Sequence, residues 1–429
     1  MQAFRASILH FLDDPDQVGE AESYQYFEDG ILLVKGGQIE AVGNAEELLA
    51  AHPEAELHRF ENSLITPGFI DTHIHYPQTE IIAAYGERLL EWLETYTYPA
   101  EIKFADRTYA RSVAERFLDE MLRCGTTTAL VFGTVHPGSV DAFFEACEQR
   151  ELRMIAGKVL MDRNAPDELL DSAEQGYLDS KNLIEKWHGR GRLSYAVTPR
   201  FAITSTPRQL QLAGRLLREH PGVFLQTHLS ENPSELRWVE ELYPDSKHYL
   251  DVYDQAGLTG RRSVFAHCLH LCDGEWRRLA ETSSNIAFCP ASNLFLGSGL
   301  FKLKRAVAEG VCVGMGTDVG AGPSFSLLQT LADAYKTQQL QEYGLNPFKA
   351  FYLATLGGAR CLDFEHLIGN FAAGKEADFL VLDKVASPLL EYRMRHCDSL
   401  AEQLSVMAML GDDRLTGAVY VAGKLAYRK

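Results

Sequence analysis

Eight short apolar runs, separated by stretches of helical periodicity, constrain this chain more than anything else in it. In order they read "LITPGFIDTHIH", "TTTALVFG", "RMIAGKVLMD", "LSYAVTPRF", "VFLQTHLSE", "SVFAHC", "NIAFCPASN" and "VCVGMGTDVG". Short apolar runs bounded by turn residues read as buried strands. Between them, "DAFFEACEQRE" and "PRQLQLAGRLLREH" repeat their apolar residues at helical spacing. Strands alternating with helices make parallel βαβ units, and eight units argue for a closed (β/α)8, TIM-like barrel of the α/β class. The two ends of the chain differ from its middle. "ILLVKGGQIEAVG" near the start, and "GNFAAGKEADFLVLD" and "GAVYVAGKLAYR" near the finish, are short strands joined by glycine turns. They are expected to pair into one small β domain. The division predicted is 1–65 and 369–429 for the two parts of that domain, with the barrel over 66–368. A chain of 429 residues that is 46% hydrophobic can bury both cores.

The polar residues of the runs gather at their C-terminal ends: His73 and His75 on the first, Arg200 on the fourth, His228 on the fifth, His267 on the sixth and Asp318 on the eighth. In a barrel that rim carries the chemistry. Residues i and i+2 of a strand share a face, so His73 and His75 point one way and Ile74 the other. Two such histidines alone are as compatible with a hydrogen-bonded strand end as with a metal. Four of the chain's 14 histidines on one rim, with an aspartate, argue for a metal. Imidazoles with one carboxylate suit Zn²⁺, with Fe²⁺ as the alternative. The expected ligands are His73, His75, His228 and Asp318. His267 is either a fifth ligand or a donor just outside the set, the second being preferred. The fourth run has no lysine that could bridge a second ion, so one ion per chain is expected. Other histidines, such as His52, His188 and His248, are expected on solvated surfaces. Glu231, three residues after His228, has two readings: a proton shuttle beside the metal, or an acid placed at a helix start.

Other chemistries find no support. There is no H-E-x-x-H and no H-x-E with P-C-x-x-C. "GNFAAGKE" ends in Glu where a phosphate loop needs Ser or Thr, and "GMGTDVG" lacks the third glycine of a dinucleotide fingerprint. A net charge of −18 without a Lys/Arg cluster speaks against nucleic acid. No apolar stretch is long enough to span a membrane. The eight cysteines include no C-x-x-C and read as reduced thiols of a cytoplasmic protein.

"PGFIDTHIH", "THLSEN", "HC", "CPASN" and "GTDVG" together resemble the amidohydrolase superfamily, in particular its mononuclear zinc deaminase branch. "LLEWLETYTYPAE", "FGTVHPGS", "VTPRF" and "ATLGGARCL" narrow the likeness to members that act on guanine, from about residue 60 to about residue 385. The resemblance implies hydrolytic deamination of guanine to xanthine and ammonia by a homodimer. It implies zinc on His73, His75, His228 and Asp318, and purine contacts from Gln78, Arg200 and Phe201 together with His75, His228, Glu231 and Asp318. Glu231 and Asp318 would move protons, with His267 beside them. An arginine has donors and no acceptor, which suits a C6 carbonyl and not a C6 amino group. The rival readings are another amino-heterocycle deaminase, acting on 8-oxoguanine, a pterin or an s-triazine, and a non-enzymatic scaffold on the same barrel. The full ligand set counts against the scaffold.

Overall fold

The computed structural model describes residues 1–86 and 88–429. Its strands form two sheets. The N-terminal segment supplies β1 (Gln2–Phe11), β2 (Tyr24–Lys35), β3 (Gln38–Asn44) and β4 (Glu56–Pro67). Barrel strands follow: β5 (Phe69–His75), β6 (Thr126–Phe132), β7 (Arg153–Gly157) with its continuation β8 (Val159–Leu160), β9 (Leu193–Pro199), β10 (Phe224–Leu229), β11 (Ser263–His267), β12 (Asn285–Phe288) and β13 (Val313–Met315). The C-terminal segment adds β14 (Phe379–Asp383), β15 (Thr416–Val421) and β16 (Lys424–Arg428).

The terminal strands form one sheet in the order β16-β15-β14-β4-β1-β2-β3. Both termini therefore contribute, as their shared composition predicted. The β2–β3 hairpin turns at Gly36 and Gly37, with φ of +61° and +83°, a pair of values that glycine adopts without strain. The first apolar run, read as one strand, is two. "LITP" closes β4 in the terminal sheet, and "FIDTHIH" opens the barrel. Gly68 is the junction: a Cβ there would fall 2.1 Å from the Thr127 hydroxyl oxygen. No side chain fits where the chain passes from one sheet to the other.

The barrel runs β5 to β13 in parallel, neighbour to neighbour. Its ring is completed past the end of β13. The Thr72 hydroxyl donates to Met315 O at 2.9 Å, Asp318 N–H to His73 O at 2.9 Å, and His75 N–H to Val319 O at 2.9 Å. The interior is filled by Ile70, Leu130, Ile155, Ala196, Phe224, Val264 and Ala287, a layer drawn from successive strands. The register of β5 shifts between Asp71 and Ile74. Beyond that irregularity Ile74 packs into the large core outside the ring, while His73 and His75 face inward. His188 and His248 are half-buried rather than solvated: each Nδ1 accepts a backbone N–H, from Tyr195 and Asp251, at 3.1 Å.

Candidate active site

The strand ends converge on one cavity of about 400 Å³ including its mouth, at the small end of ligand pockets. At its floor, His73 Nε2 lies 3.2 Å from His75 Nε2, and His75 Nε2 lies 3.3 Å from His228 Nε2. Asp318 Oδ1 is 3.2 Å from His73 Nε2 and 3.3 Å from His75 Nε2. The His228 Nδ1–H is committed to Arg200 O at 2.7 Å, which leaves the Nε2 lone pair facing the others. Imidazole lone pairs this close repel unless a cation lies between them. Donors bound tetrahedrally at 2.0–2.1 Å stand about 3.3 Å apart, which is the spacing here. The four residues fit a metal ion.

Backbone geometry aims these groups. His267 ends β11 at φ +73°, and Asp318 sits at φ +52°. Both are left-handed conformations uncommon outside glycine and concentrated at functional sites. The Asp71 carboxylate accepts from the Thr317 hydroxyl at 2.5 Å and from His73 N–H at 3.1 Å. It ties the two sides of the seam together under the cluster.

His267 stands beside the four, its ring nitrogen close enough to His73 and Asp318 to share an ion with them. Its Nδ1 pairs with Asn293 Oδ1 at 2.8 Å, and its Nε2 has no hydrogen-bond partner among the described residues. That nitrogen faces Glu231 Oε2 at 3.4 Å and Asp318 Oδ2 at 3.8 Å. Glu231 turns inward after Ser230, whose φ is +52°, and its Oε1 accepts from the Ser298 hydroxyl at 2.9 Å. Its second reading, as a helix-start acid, does not hold. The next helix, Pro233–Leu242, is capped by Asn232 and Glu235 in a reciprocal box, and Glu235 supplies the first-turn acid. Burial, reinforced by the Asp318 charge, pushes the Glu231 carboxyl up to about 8. Burial pushes Asp318 the same way, but His73, His75 and His267 around it hold it well below the usual carboxylate range. Burial pushes His75 down to about 3. Two carboxyls facing one histidine are thus driven in opposite directions, the usual mark of an acid and a base with separate tasks.

The cavity is also lined by Gln78, Arg200 and Phe201, with Leu89, Trp92, Leu93 and Leu296 as apolar walls. Sequence reasoning missed a residue here. Glu101, on the short helix Tyr98–Ile102, is fully buried and takes Arg200 Nη1 on both carboxylate oxygens at 2.9 Å. Glu101 ends "LETYTYPAE", a segment that distinguished the chain without revealing which residue mattered. Asn293 and Ser298, which hold His267 and Glu231, were also missed, although "CPASN" contains the first.

Residues 64–426 match the Amidohydrolase family, and residues 32–55 an imidazolonepropionase-like composite domain. The guanine deaminase of Escherichia coli (strain K12) is 54% identical over all of this chain and 98% of its own length. The solved structure of the E. coli guanine deaminase superposes with a TM-score of 0.97 at 54% identity, each chain covered fully. The guanine deaminase from C. acetobutylicum, solved with guanine bound in its active site, superposes with a TM-score of 0.90 at 28% identity, covering 99% of this chain and 100% of that one.

Proposed function

This chain belongs to the amidohydrolase family, and from its guanine-deaminating relatives and its own cavity we infer that it hydrolyses guanine to xanthine and ammonia. One observation carries the reading: a metal-suited cluster with an acid and a base shares one small cavity with the hydrogen-bond donors of Arg200 and Gln78, so that guanine held with C2 at the cluster would turn its C6 end to those donors. Guanine needs both, a hydrolysable amidine at C2 and a carbonyl at C6.

His73, His75, His228 and Asp318 would hold one ion, and zinc best suits three imidazoles and a carboxylate. When bound, it supplies a water that ionises near neutral pH. The protein's own groups do the rest. Glu231, held protonated by its burial, gives its proton to N3. Asp318, ionised, takes a proton from the attacking water as the oxygen bonds to C2. Asp318 passes that proton to the amino nitrogen of the tetrahedral intermediate. The C2–N bond breaks and ammonia leaves with the bonding pair. The remaining hydroxyl proton returns to Glu231 as the C2 carbonyl forms, so both carboxyls end as they began. His267, its Nδ1 held by Asn293, directs Nε2 at the attacking oxygen. Gln78 and Arg200 meet the C6 oxygen, and Phe201 lies against the ring. Eight free thiols accord with a cytoplasmic setting.

Zinc-loaded protein incubated with guanine should release xanthine and ammonia in equal amounts. Inactivity on guanine, with turnover of 8-oxoguanine, a pterin or an s-triazine, would overturn the reading.

A further inference from the structure

Glu101 is a fully buried carboxylate that contacts two of the cavity-lining residues and takes no part in the chemistry above. A buried carboxylate is costly unless it is paired. Among the described residues its side-chain partners are two, and both line the cavity: Arg200 Nη1 at 2.9 Å to each oxygen, and Gln78 Nε2 at 3.5 Å to Oε1. We infer that Glu101 is the positioning residue that makes the far end of the cavity specific for a carbonyl at C6, by fixing Arg200 and Gln78 as donors.

The geometry supports three parts of this. Arginine on a flexible stem can turn either edge of its guanidinium to a ligand. Glu101 occupies Nη1, and Nε and Nη2 carry no hydrogen bond among the described residues. The Tyr98 ring, 5.6 Å from Arg200 Cζ, covers one face of the guanidinium. The donors left over are those of the cavity edge. Gln78 could offer either its carbonyl or its amino group. Its Oε1 accepts from Gly320 N–H at 3.1 Å, so Nε2 is the side turned to Glu101 and the cavity. With both groups fixed, the side-chain atoms that Arg200 and Gln78 leave free are donors. Such an end takes a carbonyl and rejects an amino group, whose hydrogens would find no partner. The Glu101 charge also cancels that of Arg200, so the end suits a neutral carbonyl and not an anion.

The inference rests on the reading that Arg200 meets the C6 oxygen, and a double-mutant cycle on the zinc-loaded enzyme separates the two. Steady-state kinetics on guanine are compared for wild type, Glu101→Gln, Arg200→Met and the double variant, with zinc content measured for each. Glu101→Gln is expected to raise KM roughly tenfold while kcat moves by less than about threefold, the range of a displaced buried hydrogen bond. In the Arg200→Met background the same change should cost clearly less than it does in wild type, because the carboxylate no longer has a cation to hold and only Gln78 is left for it to place. An unchanged KM in Glu101→Gln overturns the inference. Losses that add independently in the double variant overturn it too, since they would mean that Glu101 acts other than through Arg200. An unchanged KM in Arg200→Met would instead remove the reading of Arg200, and this inference with it. Should Glu101→Gln fail to fold, Glu101→Asp keeps the charge and withdraws it by one methylene. It is expected to raise KM in the same way, and a wild-type KM there would overturn the inference.

Discussion

The two ends of the cavity are built on opposite principles. At the floor, His73, His75 and His228 turn lone pairs toward one another and toward Asp318 at 3.2–3.3 Å, and His267 Nε2 has no partner among the described residues. At the far end, Arg200 and Gln78 satisfy the Glu101 carboxylate, whose charge cancels that of Arg200. On the proposed function the floor would be complete only when a cation arrives. The far end is complete before substrate does, and so costs little to organise when substrate binds. The difference teaches where each kind of damage should appear: at the floor in chemistry, at the far end in binding and selectivity.

The largest effect should come from taking the cation away. Chelation is expected to abolish turnover and to lower Tm, because an ion that binds only the folded cluster stabilises it. Restoring zinc should restore both, at about one ion per chain. Full turnover in demonstrably metal-free protein would break the comparison, since the floor would then be as self-sufficient as the far end.

Next in size is Glu231→Gln, which keeps the shape and the Ser298 hydrogen bond and removes the transferable proton. Turnover should fall by roughly 10²–10⁴-fold, with zinc content near wild type because the ligands are untouched. Near-normal kcat in the metal-loaded variant would leave Asp318 as the only candidate shuttle. Smaller again is Arg200→Ala. A substrate carbonyl left without its donor costs about 1–3 kcal/mol, so KM for guanine should rise and discrimination against purines lacking that carbonyl should weaken. A purine panel with unchanged kinetics would make Arg200 structural.

The same contrast runs through what could be read from the residues. The clustering at the floor was legible because its residues are rare types at the ends of apolar runs, and barrel topology brings all such ends to one rim. His73, His75, His228, His267 and Asp318 needed no pairing information beyond that. Glu101 was not legible. It is one of 59 acidic residues, it lies on a connecting helix, and its partner Arg200 is 99 positions away. No periodicity links two such residues. Ser298 lies 67 positions from Glu231 for the same reason. The break at Gly68 was hidden because β4 and β5 are both apolar and contiguous, so run length could not separate one buried strand from two. The reading of Glu231 as a helix-start acid was open in the sequence; Asn232 and Glu235 form the reciprocal box there, and Glu235 is the acid of the first turn.

Ser298→Ala should give the smallest effect and the one whose sign is most informative. Its hydroxyl donates to Glu231 Oε1 at 2.9 Å, and a donor to a carboxylate favours the ionised form. It therefore opposes the burial and the Asp318 charge that push Glu231 up to about 8. If Glu231 works as the acid, its protonated form is the active one, and kcat/KM should fall as pH rises through its pKa. A bound cation lowers a neighbouring carboxyl, so in the zinc enzyme that alkaline limb should lie at or below about pH 8. Removing the hydroxyl removes a bond worth about 0.5–1.5 kcal/mol, which is up to about one pKa unit. The limb should move to higher pH by that amount, and the plateau should fall no more than a few-fold through looser orientation. A structural weakening would lower the whole profile without moving the limb. A limb that stays fixed or moves down in Ser298→Ala would therefore detach the pH profile from Glu231, even if Glu231→Gln is inactive.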